Sequence, residues 1–312
     1  MSIVATKDSA MNKENITIHK TEAEQEEIAL AIGFFDGLHL GHQTLLKEVL
    51  AYKEYTPAIL TFSRNFKAGV LHQKEELILT EEEKDELLTS FGIQKEFVLP
   101  FDEETMHTSK EDFISFLTKL NPKVIVVGDD FRFASKASGK AEDLKVLESL
   151  GIKIIIKDLL QMKEQKISSS SIKELLKVHN LEEANQNLGY PFFLQEKVIH
   201  GLHNGHKIGF PTANMNYPVN KVILPNGVYK TRVEIDGKLY CGMTNIGNHP
   251  TIDALENNII ETNVLNFTGD LYRKIIKVSF LRYIREQRKF SSLKELREQL
   301  LKDIKEIDDG TI

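Results

Sequence analysis

Cysteine is nearly absent. Cys241 stands alone in 312 residues, which excludes an intrachain disulfide and a cysteine-based zinc site and suits a reducing compartment. No charge of one sign dominates either: 46 acidic and 40 basic residues are scattered along the chain for a formal charge of −6. The basic excess that phosphate-backbone binding favours is missing, so nucleic acid is not an expected partner. Long apolar runs are also lacking. No stretch approaches the ~20 residues of a membrane span, and nothing near the start joins a basic flank to an apolar run. The expectation is a soluble, unprocessed, cytoplasmic protein without membrane contact or an obligate protein partner.

What is present is 41% hydrophobic residues, enough for two domains that each bury a core. Residues 1–25 are polar and charged, so structure is expected to begin at the apolar run 28–35, which suits a strand buried on both faces. Further runs at 58–62, 96–99, 124–128 and 152–156 alternate with helical patterns at 43–52, 81–91, 110–120 and 141–150. That alternation predicts a doubly wound parallel α/β sheet with ligands beyond the carboxyl ends of its strands.

A polar segment at 163–171 leads into a helical stretch over 172–187, and Gly189-Tyr190-Pro191 then breaks the pattern. This spacing predicts domains at 15–187 and 188–308. Beyond the break, apolar runs at 192–199, 227–235, 238–246, 259–267 and 274–283 are separated by Gly, Pro and Asn, which predicts a small antiparallel β-barrel. Leu293, Leu296, Leu300 and Ile304 form one apolar helical face, expected to close the barrel.

Directly after the first buried run comes Gly33-Phe34-Phe35-Asp36-Gly37-Leu38-His39-Leu40-Gly41-His42-Gln43. Glycines let backbone approach a phosphate, and a helix N-terminus offers free N–H groups and positive dipole. Two histidines three apart at such a start can both donate to charge that builds on a phosphate in transfer. Ordinary polar residues at a helix start, or one arm of a metal site, are the alternatives.

The His39-x-Gly41-His42 spacing resembles the signature of adenine-nucleotide-using nucleotidylyltransferases, and the longer string resembles the FAD synthetase domain of bacterial bifunctional flavin enzymes. Phe101-Asp102, Gly128-Asp129-Asp130-Phe131-Arg132-Phe133 and Ile167-Ser168-Ser169-Ser170-Ser171-Ile172 follow in the family's order. The resemblance implies a Rossmann-like domain where ATP and FMN meet. His39 and His42 would stabilise the α-phosphate while FMN attacks and pyrophosphate leaves. It also implies binding roles for Gly33, Phe35, Asp36, Gly41, Asp130, Ser169, Ser170 and Lys173. There are departures: Thr61-Phe62-Ser63-Arg64-Asn65-Phe66 stands where the family has Thr-Phe-x-Pro-His-Pro, Lys173 where it has arginine, and Ala134 where it has glycine. A lysine cannot offer the planar fork that grips phosphate oxygens, so adenylylation is expected to be weakened or lost.

The second motif is Gly201-Leu-His203-Asn204-Gly205-His206-Lys-Ile-Gly209-Phe210-Pro211-Thr212-Ala213-Asn214. In an extended chain Thr212 and Asn214 point to one side, and a hydroxyl beside a carboxamide oxygen suits Mg²⁺. The glycine loop could cradle nucleotide phosphates; a plain strand start is the alternative. His200, His203 and His206 also admit a zinc site.

With Leu224-Pro225-x-Gly227-Val-Tyr229, Asn245-Ile246-Gly247-x-x-Pro250-Thr251, Glu261-Thr262 and Asp270-Leu271-Tyr272, this segment closely resembles riboflavin kinase. The resemblance implies Glu261 as the general base for the ribityl 5′-hydroxyl, and Thr212 and Asn214 as Mg²⁺ ligands. Gly201, Gly205, Gly209, Pro211 and Arg285 would bind ATP or flavin. Asn204 and His206 replace basic residues common in the family, and Gln287 replaces a glutamate in its closing pattern.

Four readings stay open. The chain is a bifunctional enzyme making FMN and then FAD, a riboflavin kinase with a silent first domain, a flavin-binding regulator, or another nucleotidylyltransferase carrying an unrelated β domain.

Overall fold

The computed structural model describes residues 11–18, 23–63, 76–158, 161–162, 165–200, 210–248 and 258–307. The chain divides into two compact units, Met1–Ser169 and Ser170–Ile312.

The first unit contains β1 (Asn12–Asn15), β2 (Ile28–Ile32), α1 (Leu40–Val49), β3 (Thr56–Ser63), α2 (Glu81–Phe91), β4 (Lys95–Pro100), α3 (Glu103–His107) and α4 (Lys110–Lys119). β5 (Pro122–Gly128), β6 (Arg132–Phe133), β7 (Gly139–Lys140), β8 (Lys153–Lys157), β9 (Gln161–Met162) and β10 (Gln165–Lys166) complete it. Among the described residues its main sheet has the order β1-β4-β3-β2-β5-β8, parallel throughout. This is the doubly wound sheet that the alternating pattern predicts. β2, reading Ile-Ala-Leu-Ala-Ile, is buried along its whole length, and Leu30, Leu60, Phe97, Phe116 and Ile125 join one core around it. Each such side chain stabilises the fold by about 1.5–3 kcal/mol.

Two expectations are corrected here. The polar stretch before residue 25 supplies β1, which pairs with β4 at the sheet edge. Charge adds to that backbone ladder: Lys13 Nζ lies 3.0 Å from Asp85, 3.1 Å from Glu81 and 3.5 Å from the fully buried Glu96. Segment 141–150 is helical, but as a 3₁₀ helix rather than an α-helix.

The second unit contains most of α5 (Ser169–Lys177), then α6 (Leu181–Leu188), β11 (Phe193–Lys197), β12 (Ala213–Asn216), β13 (Gly227–Ile235), β14 (Lys238–Asn248), β15 (Asn258–Val264), β16 (Ile275–Arg285) and α7 (Leu293–Ile307). The helical stretch after residue 172 is therefore two helices. They are broken near His179, whose φ of 63° is left-handed and cannot continue an α-helix. Asn185 ties α6 to the strands, donating to the Phe280 carbonyl at 2.9 Å and accepting from the Phe192 N–H at 2.7 Å. The compact units divide before these two helices; the spacing-based boundary at 188 falls after them.

Among the described residues the second unit's antiparallel sheet has the order β11-β16-β13-β14-β15-β12. The Ile199 N–H donates to the Asn214 carbonyl at 2.8 Å, which brings its two edges together into a nearly closed barrel. Inside, the hydroxyls of Thr231, Thr244 and Thr262 form a row at 2.8 and 2.9 Å, all fully buried. α7 packs Leu300, Ile304 and Ile307 against Val228, Met243 and Cys241. Leu293, expected in that contact, is instead 61% exposed; the buried face of the helix lies nearer its C-terminus.

Candidate active sites

In the first unit the strand order reverses between β2 and β5, and open α/β sheets bind ligands at such a crevice beyond the strand ends. The chain leaves β2 through a tight turn in which Phe35 (φ 53°) and Leu38 (φ 39°) are both left-handed, a costly conformation that clusters at functional sites. The turn is held by its own polar groups. Asp36 Oδ1 accepts from the Ile78 N–H at 3.0 Å, the Asp36 carbonyl accepts from Ser169 Oγ at 2.8 Å, and Gln43 Nε2 donates to the Leu38 carbonyl at 2.9 Å.

His39 is the N-cap of α1, its Nδ1 accepting from the His42 N–H at 3.4 Å. The two imidazoles stack with centroids 3.7 Å apart, and Phe35 packs on His42 at 5.2 Å. Gly41 packs closely beneath them: a Cβ there would stand 3.1 Å from the His39 ring and would press on it. Both histidines thus sit at a helix N-terminus, where dipole and free N–H groups favour an anion.

Asp130 is exposed just past β5, beside the same crevice. Gly33 continues the sheet by donating to the Leu60 carbonyl at 3.1 Å. Ser170 and Lys173 lie on the first turns of α5, in the second unit.

One feature of this site was missed by motif reading. Phe34, Phe62 and Phe101, from the ends of β2, β3 and β4, form an aromatic cluster with centroids 5.0, 5.8 and 6.1 Å apart. Phe34 is 43% exposed, so part of the cluster's aromatic surface reaches solvent beside the crevice. The available signal was an aromatic residue at or just past each of three successive buried strands.

In the second unit Asn214 on β12 lies directly opposite Glu261 on β15, and Asn245 on β14 lies opposite Glu261 from the other side. Asn214 is buried, and its Nδ2 donates to the Thr212 carbonyl at 3.2 Å, a bond that does not use its Oδ1. The Pro211 carbonyl accepts from Asn263 Nδ2 at 2.7 Å, fixing the approach to β12. Hard oxygen donors of this kind fit Mg²⁺.

Arg285 is engaged with the closing helix: its Nε and Nη2 reach the Asp303 carboxylate at 3.0 and 2.7 Å, and Asp303 is buried. Gly201, Gly205 and Gly209, with His203 and His206 of the zinc alternative, lie outside the described residues. His200 stacks on Tyr272 at 3.6 Å. Among the described residues no group of three His, Cys, Asp or Glu side chains could hold a metal ion.

A family model of FAD synthetase matches residues 21–171, and one of riboflavin kinase matches residues 188–310. The chain is 34% identical over 298 residues to the bifunctional riboflavin kinase/FMN adenylyltransferase of Bacillus subtilis, covering 92% of this chain and 94% of that protein. The chain belongs to this bifunctional family. A Buchnera aphidicola member is 35% identical over 92% of this chain and 95% of its own. A solved structure from Streptococcus pneumoniae, named as a macrolide-efflux protein, is similar with a TM-score of 0.86 and 29% identity, over 96% of this chain and 99% of that one. Among the described residues no helix is long and apolar enough to cross a membrane.

Proposed function

We propose that the chain phosphorylates riboflavin to FMN with ATP in its second unit and adenylylates FMN to FAD in its first. The observation that carries this reading is that each unit assembles its own set of reactive groups. His39 stacks on His42 at the helix N-terminus of the crevice, and Asn214 stands across from Glu261 on the barrel. The functional modules are taken as 15–187 and 188–308, in the cytoplasm.

In the kinase step Glu261 accepts the proton of the ribityl 5′-hydroxyl as that oxygen attacks the γ-phosphorus and ADP departs. A carboxylate within hydrogen-bond reach of the hydroxyl is suited to that transfer. Thr212 and Asn214 would hold Mg²⁺, which when bound neutralises phosphate charge. Arg285 fixes the closing helix, and Gly201, Gly205, Gly209 and Pro211 bring backbone to the nucleotide.

In the adenylylation step an FMN phosphate oxygen attacks the α-phosphorus of ATP, and the bond to pyrophosphate breaks. His39 and His42 donate hydrogen bonds to the α-phosphate oxygens as charge builds there, an effect worth about 10²–10³ in rate for one donor. Gly33, Phe35, Asp36 and Gly41 shape the turn, while Asp130, Ser169, Ser170 and Lys173 bind the nucleotide or flavin. The planar isoalloxazine ring lies on the Phe34, Phe62 and Phe101 cluster, where stacking adds about 0.5–1.5 kcal/mol.

A second reading, in which only the kinase works, is favoured by Ala134. Its φ of 63° and ψ of 178° suit the family's glycine better than alanine. Incubating the protein with riboflavin, ATP and Mg²⁺ and separating the flavins over time decides between them. FMN followed by FAD is expected; FMN alone would establish the second reading, and no FMN would overturn both.

A further inference from the structure

Antiparallel pairing places five residues of the second unit in one row. Asn214 faces Glu261, Glu261 faces Asn245, Asn245 faces Val228 and Val228 faces Arg285. Directly opposed residues share a sheet face with Cβ atoms ~5 Å apart. The proposed reaction uses the Asn214 and Glu261 end of this row and leaves Asn245 without a role.

Asn245 has one: its Oδ1 accepts from Gln287 Nε2 at 2.8 Å. Gln287 belongs to the segment after β16 and reaches Asn245 by lying across Gly247. A Cβ at 247 would stand 2.2 Å from Gln287 Nε2 and 3.0 Å from its Cδ. Gly247 and Asn245, two apart on β14, share a face. The segment itself is pinned to α7 at both ends, by Arg285 on Asp303 and by Arg288 Nη2 on Gln299 Oε1 at 2.5 Å.

We propose that Asn245 binds the alcohol substrate of the kinase, holding a hydroxyl adjacent to the one that Glu261 deprotonates. Gln287, laid over Gly247, is the positioning residue that fixes the Asn245 carboxamide. This rests on the kinase reading. Attacking and leaving oxygens lie roughly in line in phosphoryl transfer. With the phosphate and Mg²⁺ candidates Thr212 and Asn214 on one side of Glu261, the acceptor approaches from the other, where Asn245 stands. A carboxamide both donates and accepts, which matches a polyol chain carrying neighbouring hydroxyls.

The test measures initial rates of FMN formation by the full-length protein, varying riboflavin and ATP separately. The variants are Asn245→Ala, Gln287→Ala, Gly247→Ala and the double variant Gly247→Ala/Gln287→Ala, each with a thermal melt. Each single variant is expected to raise the riboflavin KM on the order of tenfold, the usual size of one lost hydrogen bond, with the ATP KM unchanged. The double variant is expected to be no worse than either single one, and the melting temperature lost in Gly247→Ala to return once Gln287 is shortened. Additive losses in the double variant, or an ATP KM that rises in step with the riboflavin KM, would overturn the assignment. Failure of the wild-type chain to make FMN overturns the kinase reading itself, and is seen before any variant is compared.

Discussion

Replacing Ala134 with glycine should stabilise the first unit. Ala134 sits at φ 63° and ψ 178°, a region that glycine alone visits freely and that costs another residue about 1–3 kcal/mol. Its neighbours hold it there. Phe133 is buried against Phe113 at 4.9 Å and pairs with Gly139, and the Ser135 N–H donates to the Thr108 carbonyl at 2.9 Å. Against the relieved strain stand about 0.4–1 kcal/mol for the freer unfolded chain and at most ~0.8 kcal/mol for the lost methyl group. From the middle of these ranges the net gain is about 1 kcal/mol, which raises the melting temperature of a unit this size by roughly 2–4 °C. Calorimetry of the full chain measures it, with the first unit's transition identified by its fall in a Phe97→Ala variant. Ala134→Val, which adds a β-branch at the same φ, should lower that transition. The reasoning fails if glycine destabilises the unit while valine leaves it unchanged.

The other expectations concern the reactive groups and their supports. His42→Ala should slow FAD formation by about 10²–10³ and leave FMN formation intact, both read from one chromatographic time course. Glu261→Gln should slow FMN formation by roughly 10²–10⁴ while FMN supplied directly is still adenylylated. Asp303→Ala removes the partner of a largely buried guanidinium and should cost the second unit about 3–5 kcal/mol, seen as a lower denaturation midpoint for that transition. Burial against Tyr229 and Tyr283 lowers the pKa of His179 from its ordinary 6.5, with Glu286 opposing. Below pH 6.5 the unfolded chain takes up a proton that the folded ring resists, so the second unit loses stability as the pH falls through the window beneath that value. His179→Asn should flatten this part of a melting-temperature profile, and an unchanged slope would count against the assignment.

The parts of the molecule most legible in the sequence were those where apolar pattern and structure carry the same information. β2 is apolar on both faces and could be read directly, as could the alternation that yields the parallel sheet. β1 could not, because beyond its ladder to β4 its hold on the sheet is a set of ion pairs centred on Lys13, and charge at residue 13 gives no hint of carboxylates at 81, 85 and 96. His39 and His42 were visible from spacing alone. Glu261 was not: among 46 acidic residues only the family resemblance marked it. Asn245 stood in a recognisable motif, but its place beside Glu261 depends on strand register, which no local pattern records. The left-handed residue at 179 broke a helix that hydrophobic periodicity carried straight through.

The threonine row inside the barrel bears on how its strands find their alignment. A strand displaced by two residues keeps the same side chains facing inward, and the apolar core would accept it at modest cost. Hydroxyls are less forgiving. Thr231, Thr244 and Thr262 can satisfy one another only where β13, β14 and β15 meet in one register, and a slip would leave buried hydroxyls facing carbon, at about 1–3 kcal/mol apiece. The same register sets Glu261 between Asn214 and Asn245 on the opposite face, so three small polar groups in the interior act as a proofreading step for the geometry of the proposed kinase site.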